Sequence, residues 1–129
     1  MAHPNVDLLN KGYDAFDKGD LDALRDLFAQ DVVFHIPGDS QISGDFREQD
    51  EVFAFFGKLV ELSGGTFRLE RHAVLADDEH GTVMHTITAE RDGKTLSQKG
   101  VDIHHISGGK VTEFWGFTED TVAANHFWS

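Results

Sequence analysis

The sequence has no cysteine, which removes disulfides, thiolate metal ligands and cysteine nucleophiles together and leaves the redox compartment unmarked. Basic residues are few: 11 against 23 acidic ones, a net charge of −12. That balance repels phosphate backbones and anionic membranes and mainly promotes solubility, so neither nucleic acid nor a membrane is an expected partner. No window approaches the roughly 20 apolar residues of a bilayer span. The opening Met-Ala-His-Pro-Asn-Val-Asp lacks the basic and apolar regions of a secretion signal, and the expected location is the cytoplasm. Proline occurs only twice, and no repeat, linker or low-complexity tract divides the 129 residues. One domain over 1–129 is expected, long enough to bury a core unaided.

What is present is patterned. Val6, Leu9, Tyr13 and Phe16 recur at helical steps between Asn5 and Lys18, and Gly19 ends the stripe. Asp20 can cap a second helix whose Leu21, Leu24, Leu27 and Phe28 run to Ala29. The β-branched and aromatic run Val32 to Ile36 predicts a short strand, stopped by Pro37-Gly38 and followed by a loop through Gly44. Asp50 to Leu62 carries Val52, Phe53, Phe56, Leu59 and Val60 at helical spacing. Four strands follow, Phe67–Leu75, Thr82–Arg91, Thr95–Ile106 and Val111–Phe117. Turns at Asp77-Asp78, Asp92-Gly93 and Gly108-Gly109 join them as consecutive hairpins. A short helix from about Glu119 to Phe127 places Phe127 and Trp128 where they can cover an opening. Helices followed by a meander predict an α+β architecture.

Several local sequences in this order resemble the nuclear transport factor 2-like (NTF2-like) superfamily, in its ketosteroid isomerase and SnoaL-like polyketide cyclase branch. They are Tyr13 with Phe16, Gly19-Asp20-Leu21-Asp22-Ala23-Leu24 through Leu27-Phe28-Ala29, Pro37-Gly38 with Gly44, and Val101-Asp102-Ile103 followed by Gly109-Lys110-Val111. The resemblance implies a cone in which three N-terminal helices pack on a curved antiparallel sheet and enclose one pocket. It does not settle activity, because the superfamily contains enzymes as well as binding and scaffold proteins.

Alternation on the third long strand puts Asp102 on one face with Gln98, Gly100, His104 and Ile106, and Val101, Ile103 and His105 on the other. Ketosteroid isomerase stabilises an enolate with a tyrosine of its first helix and a protonated aspartate of a late strand; by resemblance Tyr13 and Asp102 match those positions. Counting back through the Asp92-Gly93 turn puts His85 on the pocket side of the preceding strand. The candidate catalytic set is Asp102, Tyr13 and His85, with His104, Phe53, Phe56 and Phe114 around the substrate. A carboxyl, a phenol and imidazoles on apolar walls suit proton transfer at an enolisable carbonyl. The isomerase also has a carboxylate just before the proline that ends its first strand, and Ile36 stands there. His35 replaces it only if that strand twists or bulges.

Three readings follow. The first is a cofactor-independent isomerase, cyclase or dehydratase acting on a small hydrophobic carbonyl compound; the second is a non-catalytic binder of such a molecule; the third is an interaction module. No cofactor or metal is expected, because the eight histidines show no zinc-ligand spacing and His104 and His105 point apart; chelation should change nothing. His3, His72, His80 and His126 are expected to be peripheral. Val101, Ile103, Trp115 and Phe117 leave the outer sheet face too apolar for water, which predicts a homodimer.

Overall fold

The computed structural model describes residues 3–129. Helix α1, Pro4–Lys18, starts with proline in its first turn, and the His3 ring accepts the Asn5 amide; Gly19 closes it at φ 69°, the left-handed cap that glycine adopts without strain. Asp20 caps α2, Leu21–Leu27, by accepting the Ala23 amide at 3.1 Å. The chain then turns extended earlier than the helical stripe predicts. Phe28 is already strand (φ −97°, ψ 143°) and opens β1, Phe28–Ile36. Its ring meets Phe34 at 5.5 Å, so the burial that reads as a fourth helical contact is made from a strand. A four-residue strand β2, Gly44–Arg47, begins where the expected loop ends, and its Phe46 stacks on Phe55 of α3, Glu48–Leu62.

Strands β3, Arg68–Ala76; β4, His80–Arg91; β5, Lys94–Ser107; and β6, Lys110–Thr118, form the meander, and α4, Thr121–Trp128, ends the chain. Asp92-Gly93 and Gly108-Gly109 all have positive φ, the two-residue turn whose twist matches the flanking strands. Asp77 Oδ1 accepts the amides of Glu79 and His80 at 2.8 and 2.7 Å, a side-chain turn. The sheet order is β2-β1-β6-β5-β4-β3. Every neighbouring pair is antiparallel except β1 with β6, which is parallel, so the α+β class stands with a mixed, mostly antiparallel sheet. Hairpin connections cannot produce a parallel pair; β1 reaches β6 only because the rest of the chain lies between them.

The helices cover the concave face. Leu9, Leu24, Val52, Phe55 and Leu59 are buried there against Val32, Phe34, Val83 and Ile106. On α3 the buried stripe runs through Phe55, while Val60 is exposed. At the far end Phe127 and Trp128 are buried, and the Arg91 guanidinium donates to the carbonyls of Phe127 and Ser129 at 3.2 and 2.6 Å. No helix among the described residues is long and apolar enough to cross a membrane.

Candidate functional site

Between helices and sheet lies a cavity of about 190 Å³. Its walls are Leu9, Phe16, Phe34, Phe56, Leu59 and Phe114, Trp128 of α4 closes one end, and the polar atoms gather on β4, β5 and α1. The register explains the gathering. Val83 pairs with Asp102, His85 with Gly100 and Gly81 with His104, so each inward histidine faces a glycine across the ladder. A Cβ on Gly100 would stand 2.7 Å from His85 Cε1 and 2.6 Å from the Phe117 carbonyl. Only a bare backbone leaves the His85 ring that space.

Asp102 is 6% exposed, His85 2% and His104 3%. Tyr13 Oη is 2.5 Å from Asp102 Oδ2, and His85 Nε2 is 3.0 Å from Oδ1, so both carboxyl oxygens are engaged. His104 Nε2 lies 3.3 Å from the Tyr13 hydroxyl, and its Nδ1 lies 3.3 Å from the Gly81 carbonyl. Its ring meets Phe114 edge-on at 5.1 Å. Burial, then the adjoining Asp102, holds the Tyr13 phenol well above its ordinary value, with Arg71 pulling the other way. Burial holds His104 below the usual histidine value against the opposing pull of Asp102 and the Gly81 carbonyl.

Tyr13, His85, Asp102, His104, Phe56 and Phe114 therefore come together. Phe53 does not join them: it turns toward α2, where the Arg25 guanidinium lies 4.7 Å from its ring centre, and Phe55, one helical step from Val52, lines the cavity in its place. Nor does His35. The one irregularity of the β1–β6 pairing falls between Phe28 and Val33, so alternation is unbroken through Ile36, which lines the cavity while His35 faces outward. There its Nδ1 meets Asp45 at 2.7 Å and its Nε2 meets Glu113 at 2.6 Å. Glu113 and then Asp45 raise its pKa above the ordinary histidine value, against the opposing effect of its partial burial.

Two contributors were not singled out from sequence. Arg71 spreads 5.9 Å above the Tyr13 ring and donates to Asn10 and Asp14, fixing α1 on β3. Its signal is a charged residue on the inward alternation of Phe67 and Leu69. Gln98, buried on the same β5 face as Asp102, donates to the Asp120 carbonyl at 3.0 Å and accepts from Thr118, tying the start of α4 to the cavity floor. Among the described residues no three His, Cys, Asp or Glu side chains are placed to hold a metal ion.

The model of the SnoaL-like domain matches residues 9–114, which include most of α1, most of the sheet and Tyr13, His85, Asp102 and His104. The chain belongs to the SnoaL-like family. Its fold is NTF2-like, the cone the sequence resemblance implies. The uncharacterized protein Rv0034 of Mycobacterium tuberculosis is 31% identical over 126 residues, 97% of this chain and 96% of its own. Bal32a, from a soil-derived mobile gene cassette, is 33% identical, with a TM-score of 0.93 over 97% of this chain and 96% of its own. A candidate SnoaL-like polyketide cyclase from Jannaschia is 18% identical, with a TM-score of 0.81 over 97% of this chain and 91% of its own, and shares the fold alone.

Proposed function

We propose that this SnoaL-like protein is a cofactor-independent acid/base enzyme, an isomerase, cyclase or dehydratase, acting on a small hydrophobic carbonyl compound. One observation carries the reading: a carboxyl buried in an apolar cavity whose two oxygens meet a phenol and an imidazole. A group kept at that depth costs stability, and such arrangements cluster where protons are moved. The Jannaschia structure, a candidate polyketide cyclase of the same fold, is consistent with carbonyl chemistry. Size narrows the substrate. An apolar cavity of roughly 150 Å³ takes benzene, so 190 Å³ suits one or two rings rather than four.

The test is deuterium exchange. Cyclic ketones of one and two rings are incubated with the protein in D₂O, and loss of their α-proton signals is followed by NMR. Exchange that disappears in Asp102→Ala supports the reading. Tight binding of such compounds without exchange moves the protein to the second reading, a non-catalytic binder. That alternative is favoured by Ile36, an apolar residue where the related isomerase has a carboxylate.

We also propose that a second copy covers the outer sheet face. Met84, Val101 and Phe117 are direct neighbours across β4, β5 and β6, and Met84 and Phe117 are 45% and 55% exposed, an apolar row larger than an isolated surface residue. Sedimentation at micromolar concentration should give twice the chain mass, and Phe117→Lys should halve it.

A further inference from the structure

We infer that the Gly81 carbonyl sets the direction of one hydrogen-bond chain through His104, Tyr13, Asp102 and His85, leaving the proton of that chain on Asp102 and making His85 Nδ1 the unpartnered base at the cavity wall. A carbonyl can only accept. His104 Nδ1, at 3.3 Å, therefore carries the hydrogen. A neutral imidazole has only one, so Nε2 is an acceptor and the 3.3 Å contact with Tyr13 is donated by the phenol. The phenol also has one hydrogen. With it directed to His104, the 2.5 Å contact between Tyr13 and Asp102 Oδ2 needs the hydrogen of a protonated carboxyl. The other oxygen accepts from His85 Nε2–H at 3.0 Å. His85 is then unprotonated at Nδ1, the buried side-chain atom without a hydrogen-bond partner among the described residues, on a residue that lines the cavity.

The rival arrangement is a His104 imidazolium beside an Asp102 carboxylate. It satisfies the same contacts, and a short phenol-to-carboxylate bond suits it, but it places two charges where the neutral chain places none. Desolvation opposes that, and burial already draws His104 toward its neutral form. The groups facing His104 are Tyr13 from α1, His85 from β4, Asp102 from β5 and Phe114 from β6, with Arg71 of β3 beyond the Tyr13 ring.

The roles rest on the acid/base reading above. A substrate α-proton passes to His85 Nδ1, the C–H electron pair moves into the enolate, and a proton returns from Nδ1 to carbon or oxygen; exchange of the Nδ1 proton with solvent before that return gives the deuterium incorporation. His104 is a positioning residue that acts through Tyr13 and Asp102.

Long-range nitrogen–proton NMR of histidine-labelled protein, with the carboxyl carbon signal of Asp102, tests the chain near neutral pH on the resting protein. It is therefore independent of whether any ketone exchanges. The expected result is His104 with hydrogen on Nδ1 only, His85 with hydrogen on Nε2 only, and a protonated Asp102. An imidazolium at His104, or an Asp102 carboxylate, overturns the inference. His104→Phe removes the acceptor, so the Tyr13 hydroxyl should turn to donate to Asp102, whose own proton is released to solvent, shifting its carbon signal to that of a carboxylate; an unmoved signal refutes control by His104. If that variant does not fold, the tautomers of the unaltered protein still decide. Where exchange is found, His85→Phe should lower it by about 10² to 10⁴ while Asp102 remains protonated.

Discussion

His104 and His35 lie on opposite faces of one sheet: His104 pairs with Phe114, which stacks on Phe34 on the inner face, and His35, the next residue of β1, points outward. The inner ring is sealed among aromatics with a phenol and a carbonyl, and burial favours its neutral form. The outer ring, with 26% of its side chain exposed, bridges two carboxylates, which favour its cationic form. The side chain is the same, and the strand alternation that assigns its face decides which way its protonation is pushed. Polar chemistry in this protein is thus a matter of parity along a strand.

The largest expected break in that comparison is in rate. Asp102→Ala should reduce α-proton exchange by about 10² to 10⁴, whereas His35→Gln should leave it unchanged. Equal losses in the two variants, by initial rates under identical conditions, would show that the inner face has no special role.

A smaller contrast concerns stability at two glycines. Gly100→Ala drives a Cβ to 2.6 Å from the Phe117 carbonyl and 2.7 Å from His85, and overpacking of this kind costs about 1–3 kcal/mol. Gly57→Ala, in α3, meets nothing within 4 Å and should stabilise by about 0.4–1 kcal/mol through the unfolded chain. Urea unfolding midpoints should therefore move in opposite directions; a tolerated Gly100→Ala means that His85 has room to shift.

The smallest effect is in pH dependence. His35 is raised above the ordinary 6.5, so its contribution is fully present below that value and is lost as pH rises through the raised one. His104 is lowered from the same 6.5, so its contribution is present above 6.5 and is lost as pH falls through the lowered one. The pairs of His35 are solvent-screened and worth about 0.2–1 kcal/mol. Unfolding curves of the wild type and His35→Gln should differ by that amount in mild acid and converge in mild alkali. A gap that widens with pH contradicts the assignment.

Much of this was legible in the sequence because it depends on short range. Alternation on β5 needs only that a strand exist, and the two-residue turns Asp92-Gly93 and Gly108-Gly109 transmit it across hairpins, so Asp102, His85 and His104 could be placed on one face by counting. Tyr13 joined them through the family resemblance, since a helical stripe alone does not say what a buried hydroxyl meets. What escaped depends on longer range or on ambiguity. Leu24, Leu27 and Phe28 suit a helix, and only the pairing of Phe28 with Val111 makes the last a strand residue. In α3 the aromatics Phe53, Phe55 and Phe56 surround the axis, and packing against Arg25 rather than periodicity turns Phe53 away. Gly100 reads locally as a weakness in a strand; its use appears only when His85 is seen lying over it.

The parallel seam between β1 and β6 also bears on how the chain is made. Phe34 adjoins Phe114, so one wall of the cavity is built from segments near opposite ends of the polypeptide. The hairpins of β3 to β6 close short loops, while β1 must wait for the longest-range strand pairing of the sheet. During synthesis the first helices and β1 leave the ribosome well before their partner exists. Until β6 emerges, Phe28, Val32 and Phe34 form an apolar strand without its eventual neighbour, the kind of transient edge that invites association with other chains.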